Sequence, residues 1–115
     1  MLEQLEKYIP LDEEHGILTI KDIEKGCHDV LSAYNVNYCI LFGSYAKGRA
    51  SEVSDVDLLI STDVTGLKFF GIAERLRERL KKKVDLLNLG QLVDNPELLD
   101  EILKDGIRVY EQPKK

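Results

Sequence analysis

Apolar residues recur every three or four positions over residues 20–34. Ile20, Ile23, Cys27, Val30, Leu31 and Tyr34 fall on one stripe, which predicts an amphipathic helix. Thr19 stands where an N-cap belongs, and Asp22 lies in the first turn, where negative charge offsets unpaired N–H groups. Gly26 weakens this helix slightly. A second stripe, Phe69, Ile72, Ala73, Leu76 and Leu80, predicts a helix over 66–82 with charges on its other side. A third helix starts at Asn95-Pro96-Glu97, which supplies a cap, a proline at the first position and an acid. It buries Leu98, Leu99, Ile102 and Leu103 and stops at Gly106.

Between the helices the pattern changes. Residues 36–42 are β-branched, aromatic or apolar almost throughout, and read as a strand. Residues 55–61 and 83–89 read as two more, and Ile107, Val109 and Tyr110 as a short fourth. At the start of the chain Leu2, Leu5 and Ile9 have near-helical spacing that Pro10 ends, followed by an acidic loop over 11–16. The tail, 111–115, is expected to fray. Helix and strand alternate four times, which predicts an α/β sheet with helices packed against it.

Composition narrows the class. The chain has 115 residues, 43% apolar and 32% charged, which suits one globular domain with one modest core. No apolar run approaches the roughly 20 residues of a membrane helix, and the opening Met1-Leu2-Glu3-Gln4-Leu5-Glu6 is too acidic for a secretory signal. The expected location is the cytoplasm. A net charge of −5 argues against an extended nucleic-acid surface but not against a local nucleotide site. The basic run Arg75, Arg77, Arg79, Lys81, Lys82 and Lys83 reads as the solvated face of the second helix. Cys27 and Cys39 lack metal-ligand spacing and read as buried free thiols. His15 and His28 are isolated, and neither is assigned a role.

The candidate chemistry lies at Gly43-Ser44, followed after ten residues by Asp55-Val56-Asp57. The first strand stops at Gly43, which can take backbone angles closed to other residues and lets a ligand approach the main chain. Ser44 reads as the N-cap of a short helix through Tyr45 and Ala46, whose N–H groups suit an anion. Side chains alternate along a strand, so Asp55 and Asp57 share a face while Val56 and Leu58 enter the core. Adjacent carboxylates repel each other, and a hard divalent cation such as magnesium relieves that cost. Asp85 is the one carboxylate of the 83–89 strand and joins the cluster if that strand lies beside the Asp55–Asp57 strand. Three acids around two metals make a clamp for in-line phosphoryl displacement. Lys47 and Arg49 are candidate triphosphate contacts, against the plainer reading of solvated loop cations. Gly-Ser turns and Asp-x-Asp strand starts are common and usually structural when alone; their fixed pairing is what points to function.

This Gly-Ser-x10-Asp-x-Asp spacing resembles the signature of the DNA polymerase beta superfamily of nucleotidyltransferases, and most closely its minimal nucleotidyltransferase (MNT) branch. The resemblance covers about residues 20–110 without a gap in the motif. It implies a mixed sheet flanked by helices, an α+β fold of polymerase-beta type, with 1–115 as one domain: a 1–18 extension and a 19–110 core. It implies that Gly43 and Ser44 hold the triphosphate of ATP, that Asp55 and Asp57 hold two Mg²⁺ ions, and that Asp85 is the third acid and general base. Many MNT proteins pair with a HEPN-domain ribonuclease toxin, which implies transfer of AMP to a tyrosine of that toxin and an antitoxin role. Two alternatives stay open: a binding module that neutralises its partner by contact alone, and a nucleotidyltransferase for a small molecule such as an aminoglycoside-type antibiotic. The second has the least room, because this chain has no space for a substrate domain.

Overall fold

The structure, a computed structural model, describes residues 16–113. The expected helix over the first ten residues and nearly all of the acidic loop after it lie outside the described residues, as do the last two residues of the tail. The described chain runs α1 (Ile20–Leu31), β1 (Val36–Phe42), α2 (Gly43–Ala46), β2 (Val56–Thr62), α3 (Leu67–Leu80), β3 (Val84–Asn88), a 3₁₀ turn (Leu89–Leu92), α4 (Pro96–Asp105) and β4 (Ile107–Glu111). The sheet order is β3-β2-β1-β4. β1 is antiparallel to both β2 and β4, and β2 is parallel to β3, so the sheet is mixed.

Alternation along the strands divides the core in two. Cys39, Leu41, Val56, Leu58 and Ile60 face α1 and α3, where they meet Ile23, Cys27, Ile72 and Leu76. Ile40 and Leu59 face the other way, onto Leu92 of the 3₁₀ turn and Ile102 of α4. The first layer is large and closed. The second is small and ends short of the sheet's end at Asp57.

The helix signals act as expected at most ends. The Thr19 hydroxyl accepts from the Asp22 N–H and the Asp22 carboxylate accepts from the Thr19 N–H, both at 3.0 Å, a reciprocal box worth about 1 kcal/mol. Those bonds hold the Asp22 carboxyl below its usual value. Asn95 caps α4 through the Leu98 N–H at 3.2 Å. Helix α1 nonetheless stops at Leu31 rather than Tyr34. The Ala33 and Tyr34 N–H groups bond the carbonyls three residues back, at 3.2 and 3.0 Å, which tightens the last turn and turns the chain into β1. Gly26 has a packing role: a Cβ there would lie 2.4 Å from Leu80 Cδ2, so α1 and α3 touch at that glycine.

Three other expectations need correction. Leu103 is 60% exposed, because α4 covers too little of the sheet to bury its whole stripe. The tail is anchored where it leaves β4, since the Gln112 N–H donates to the Asn37 carbonyl at 2.9 Å. The basic run is exposed as expected except at Lys82, and several of its cations bond back to the protein. Arg79 donates twice to Asp29 of α1, at 2.9 and 3.1 Å; Arg77 donates to the Val84 carbonyl at 3.1 Å; and buried Lys82 donates to the Glu52 carbonyl at 2.8 Å. Cys27 and Cys39 are buried free thiols, and burial, with Cys27 beside it, pushes the Cys39 thiol well up. No helix among the described residues is long and apolar enough to cross a membrane.

Candidate active site

Phe42, the last residue of β1, lies opposite Asp57 in the antiparallel register. The chain then turns at Gly43 with φ +74°, a left-handed conformation that disfavours any residue with a Cβ. A Cβ at Gly43 would sit 2.2 Å from Asp57 Oδ2. The glycine is therefore required twice, once for its backbone angle and once because the Asp57 carboxylate rests against its Cα. The turn of the Gly-Ser motif and the acid of the Asp-x-Asp motif are in direct contact.

Ser44 is not the N-cap. The one-turn helix α2 begins at Gly43, with Phe42 at the cap position and no side-chain cap, so Ser44 stands one residue inside. Because the left-handed turn at Gly43 already starts the helix, the Ser44 hydroxyl is left without a hydrogen-bond partner among the described residues, beside N–H groups of the first turn.

Asp55 is exposed and lies just before β2 rather than within it. Asp57 is half-buried inside the strand, and Asp85 is exposed on β3, directly opposite Asp57 in the parallel register. Adjacent strands run about 4.8 Å apart, so the expected third acid does come beside the motif. Burial, then the charges of Asp85 and Asp55, push the Asp57 carboxyl up from 3.8 to about 6. Yet among the described residues no three acidic, imidazole or thiol groups are placed to enclose one ion. The two observations are compatible: the acids are near enough to repel but form an open face, not a cage.

The two loop cations differ. Lys47 Nζ reaches Glu101 of α4 at 3.3 Å, an ion pair that competes with any phosphate contact. Arg49 is exposed. Arg77 and Lys83, read from sequence only as part of a basic run, line a hollow of about 430 Å³ with Asp55, Val84 and Asp85. A signal for Arg77 was present: it lies four residues after buried Ala73, on the flank of the α3 stripe. A larger hollow of about 760 Å³ between α1 and β4 lies away from all three acids and carries no part of the site.

Comparison with known proteins decides what this arrangement belongs to. The family described as Polymerase beta, Nucleotidyltransferase matches residues 25–115. The chain belongs to that family. A Methanocaldococcus jannaschii relative, provisionally named a protein adenylyltransferase, is 38% identical to this nucleotidyltransferase over 96 residues, covering 81% of this chain and 97% of the relative. The protein adenylyltransferase MntA of Thermococcus cleftensis is 34% identical over 83 residues, covering 67% and 84% of the two chains. Among solved structures, a complex of the tri-AMPylated Shewanella oneidensis HEPN toxin with its MNT antitoxin contains the same fold, with a TM-score of 0.60 at 19% identity over 82% of this chain and 74% of that one. The polymerase-beta-type fold of this nucleotidyltransferase is thus shown, along with its mixed sheet.

Proposed function

We propose that this nucleotidyltransferase moves the AMP group of ATP onto a hydroxyl of a partner protein, a tyrosine of a HEPN-type ribonuclease toxin, and thereby acts as its antitoxin. The observation that carries the reading is the contact between Gly43 and the Asp57 carboxylate, with Asp85 in register beside it. It joins a turn suited to phosphate to acids suited to metal. The adenylyltransferase names of the two relatives support AMP as the group transferred, and the fold shared with an MNT antitoxin bound to its AMPylated toxin supports the partner.

The donor set fits magnesium. It consists of hard carboxylate oxygens, is too open to complete a coordination shell alone, and leaves positions for phosphate oxygens. Asp55 and Asp57 would hold two Mg²⁺ ions, with Asp85 contributing on the acceptor side. When bound, the metal supplies charge neutralisation on the triphosphate. The Ser44 hydroxyl and the N–H groups of the Gly43 turn bind the outer phosphates, and Lys47 and Arg49 are the flexible contacts beyond them. Asp85 orients the acceptor hydroxyl and takes its proton as the new oxygen–phosphorus bond forms at the α-phosphate. The bond from that phosphorus to the β-phosphate oxygen breaks in line, and pyrophosphate leaves.

Incubating the protein with α-labelled ATP, magnesium and its HEPN partner should label a tyrosine of the partner, and chelating the metal with EDTA should stop it. A folded protein that transfers no label to that partner would refute the reading.

A further inference from the structure

The outer edge of β3 carries a half-finished ladder next to a cavity. The Val56 N–H donates to the Lys83 carbonyl at 2.9 Å. In a parallel pair, alternate residues turn both backbone groups to the same neighbour, so Lys83, Asp85 and Leu87 face β2 while Val84, Leu86 and Asn88 face away. The protein's own side chains occupy part of this outward row. Arg77 donates to the Val84 carbonyl at 3.1 Å, and Gln91 accepts from the Asn88 N–H at 2.8 Å. Leu86, between them, has no such partner among the described residues. Its side chain packs toward α3, where Phe69, Phe70, Ala73 and Leu86 help enclose a cavity of about 420 Å³ that reaches Asp85. Phe70 at the rim is 68% exposed.

Resting on the transferase reading above, we propose that an extended segment of the acceptor protein pairs antiparallel with β3 at Leu86. One residue opposite Leu86 suffices, because an antiparallel hydrogen-bonded pair exchanges both N–H···O=C bonds between two residues. That residue's side chain lies on the Leu86 face and enters the cavity, so it is apolar. The next residue of an antiparallel segment stands opposite Asp85, with its side chain on the Asp85 face. The register therefore places the tyrosine immediately after an apolar anchor. Arg77 is already paired with Glu74, so at this edge it is Lys83 that favours an acidic residue opposite it.

The test uses the full chain, magnesium, α-labelled ATP and a synthetic acetyl-Glu-Val-Phe-Tyr-Val-Glu-amide peptide. The peptide should be labelled. N-methylating its phenylalanine removes the donor to Leu86, and exchanging the order to Tyr-Phe moves the hydroxyl off the Asp85 face; each should lower labelling about tenfold, the effect of losing one well-made hydrogen bond or anchor. Phe70→Asp, a change at an exposed rim position, should raise KM for the first peptide about tenfold. Equal labelling of all three peptides overturns the proposal. So does labelling of a HEPN partner with none of any peptide, or a dimer through β3 that Leu86→Pro dissociates. Failure of the protein to bind magnesium-ATP in calorimetry is a different result, and overturns the transferase reading and this one together.

Discussion

Replacing Asp57 by asparagine should stabilise the protein while abolishing its reaction. The carboxylate is half-buried near the start of β2, pressed against Gly43, with Asp85 opposite and Asp55 two residues earlier. Burial, reinforced by those two charges, raises its pKa from 3.8 to about 6. A folded-state value above the unfolded one means that the native state holds this proton more tightly between about pH 4 and pH 6. Stability contributed by the protonated form is complete below pH 4 and is lost as pH rises through 6. At 1.36 kcal/mol per pH unit, the interval sets a ceiling of roughly 3 kcal/mol. Solvent reaches much of the side chain, and screening reduces the cost to about 1 kcal/mol at pH 7. Asparagine has nearly the same shape and no charge to repel. In the absence of nucleotide and metal, Asp57→Asn should therefore raise Tm by about 4 °C at pH 7, with the difference from wild type vanishing below pH 4. Thermal melts of both proteins from pH 3.5 to 8 measure it. Magnesium-ATP should then raise the wild-type Tm and leave the variant's where it was. An Asp57→Asn variant less stable than wild type at pH 7, or a difference that does not change with pH, would show that the carboxylate is a structural acceptor and refute the electrostatic argument.

Gly43→Ala should act through the same contact. Its Cβ would meet Asp57 Oδ2 at 2.2 Å on a backbone at φ +74°, so the left-handed turn alone costs about 1–2 kcal/mol. Displacement of the carboxylate should cut transfer at least about 100-fold, the scale lost when a reacting group is misplaced by an ångström; urea melts and label-transfer rates check the two effects separately. Asp85→Asn should lower kcat by about 10² to 10⁴, the range for a lost general base, while the Kd for magnesium-ATP rises less than it does for Asp57→Asn, because Asp85 stands on the acceptor side. An unchanged kcat would remove Asp85 from the proposed role of base.

The chain order and the local ends of this fold were legible because they depend on neighbours in sequence. The Thr19–Asp22 box, the Asn95-Pro96 start of α4 and the full extent of β1 all follow from residues within one turn or one strand. The partner of each strand was not legible in the same way. Placing Asp85 opposite Asp57 depends on a parallel pairing across a 14-residue helix, and no local pattern specifies that register. The family resemblance, not periodicity, supplied the mixed sheet. Ser44 was misread as a cap because the positive φ of Gly43 shifts the helix start by one residue, which composition does not reveal. Lys82 was misread because a long cationic side chain can fold back over a protein surface as readily as enter water.

The position of the acids follows from the unequal covering of the sheet. Val56, Leu58 and Ile60 lie under two long helices and are fully buried. On the opposite face, Leu59 is closed over by the 3₁₀ turn and α4, and the covering stops there. Asp57 is the next residue on that face, and an apolar side chain at this position would extend the small core and gain stability. A carboxylate there is held at a pKa where its charge costs free energy, and two further acids next to it increase the cost. Local choices that lower stability without a compensating contact inside the fold mark places where the compensation comes from a ligand. At this end of the sheet the missing contact has a definite character: positive, bound by oxygen, and made at a carboxylate that Gly43 admits by having no side chain.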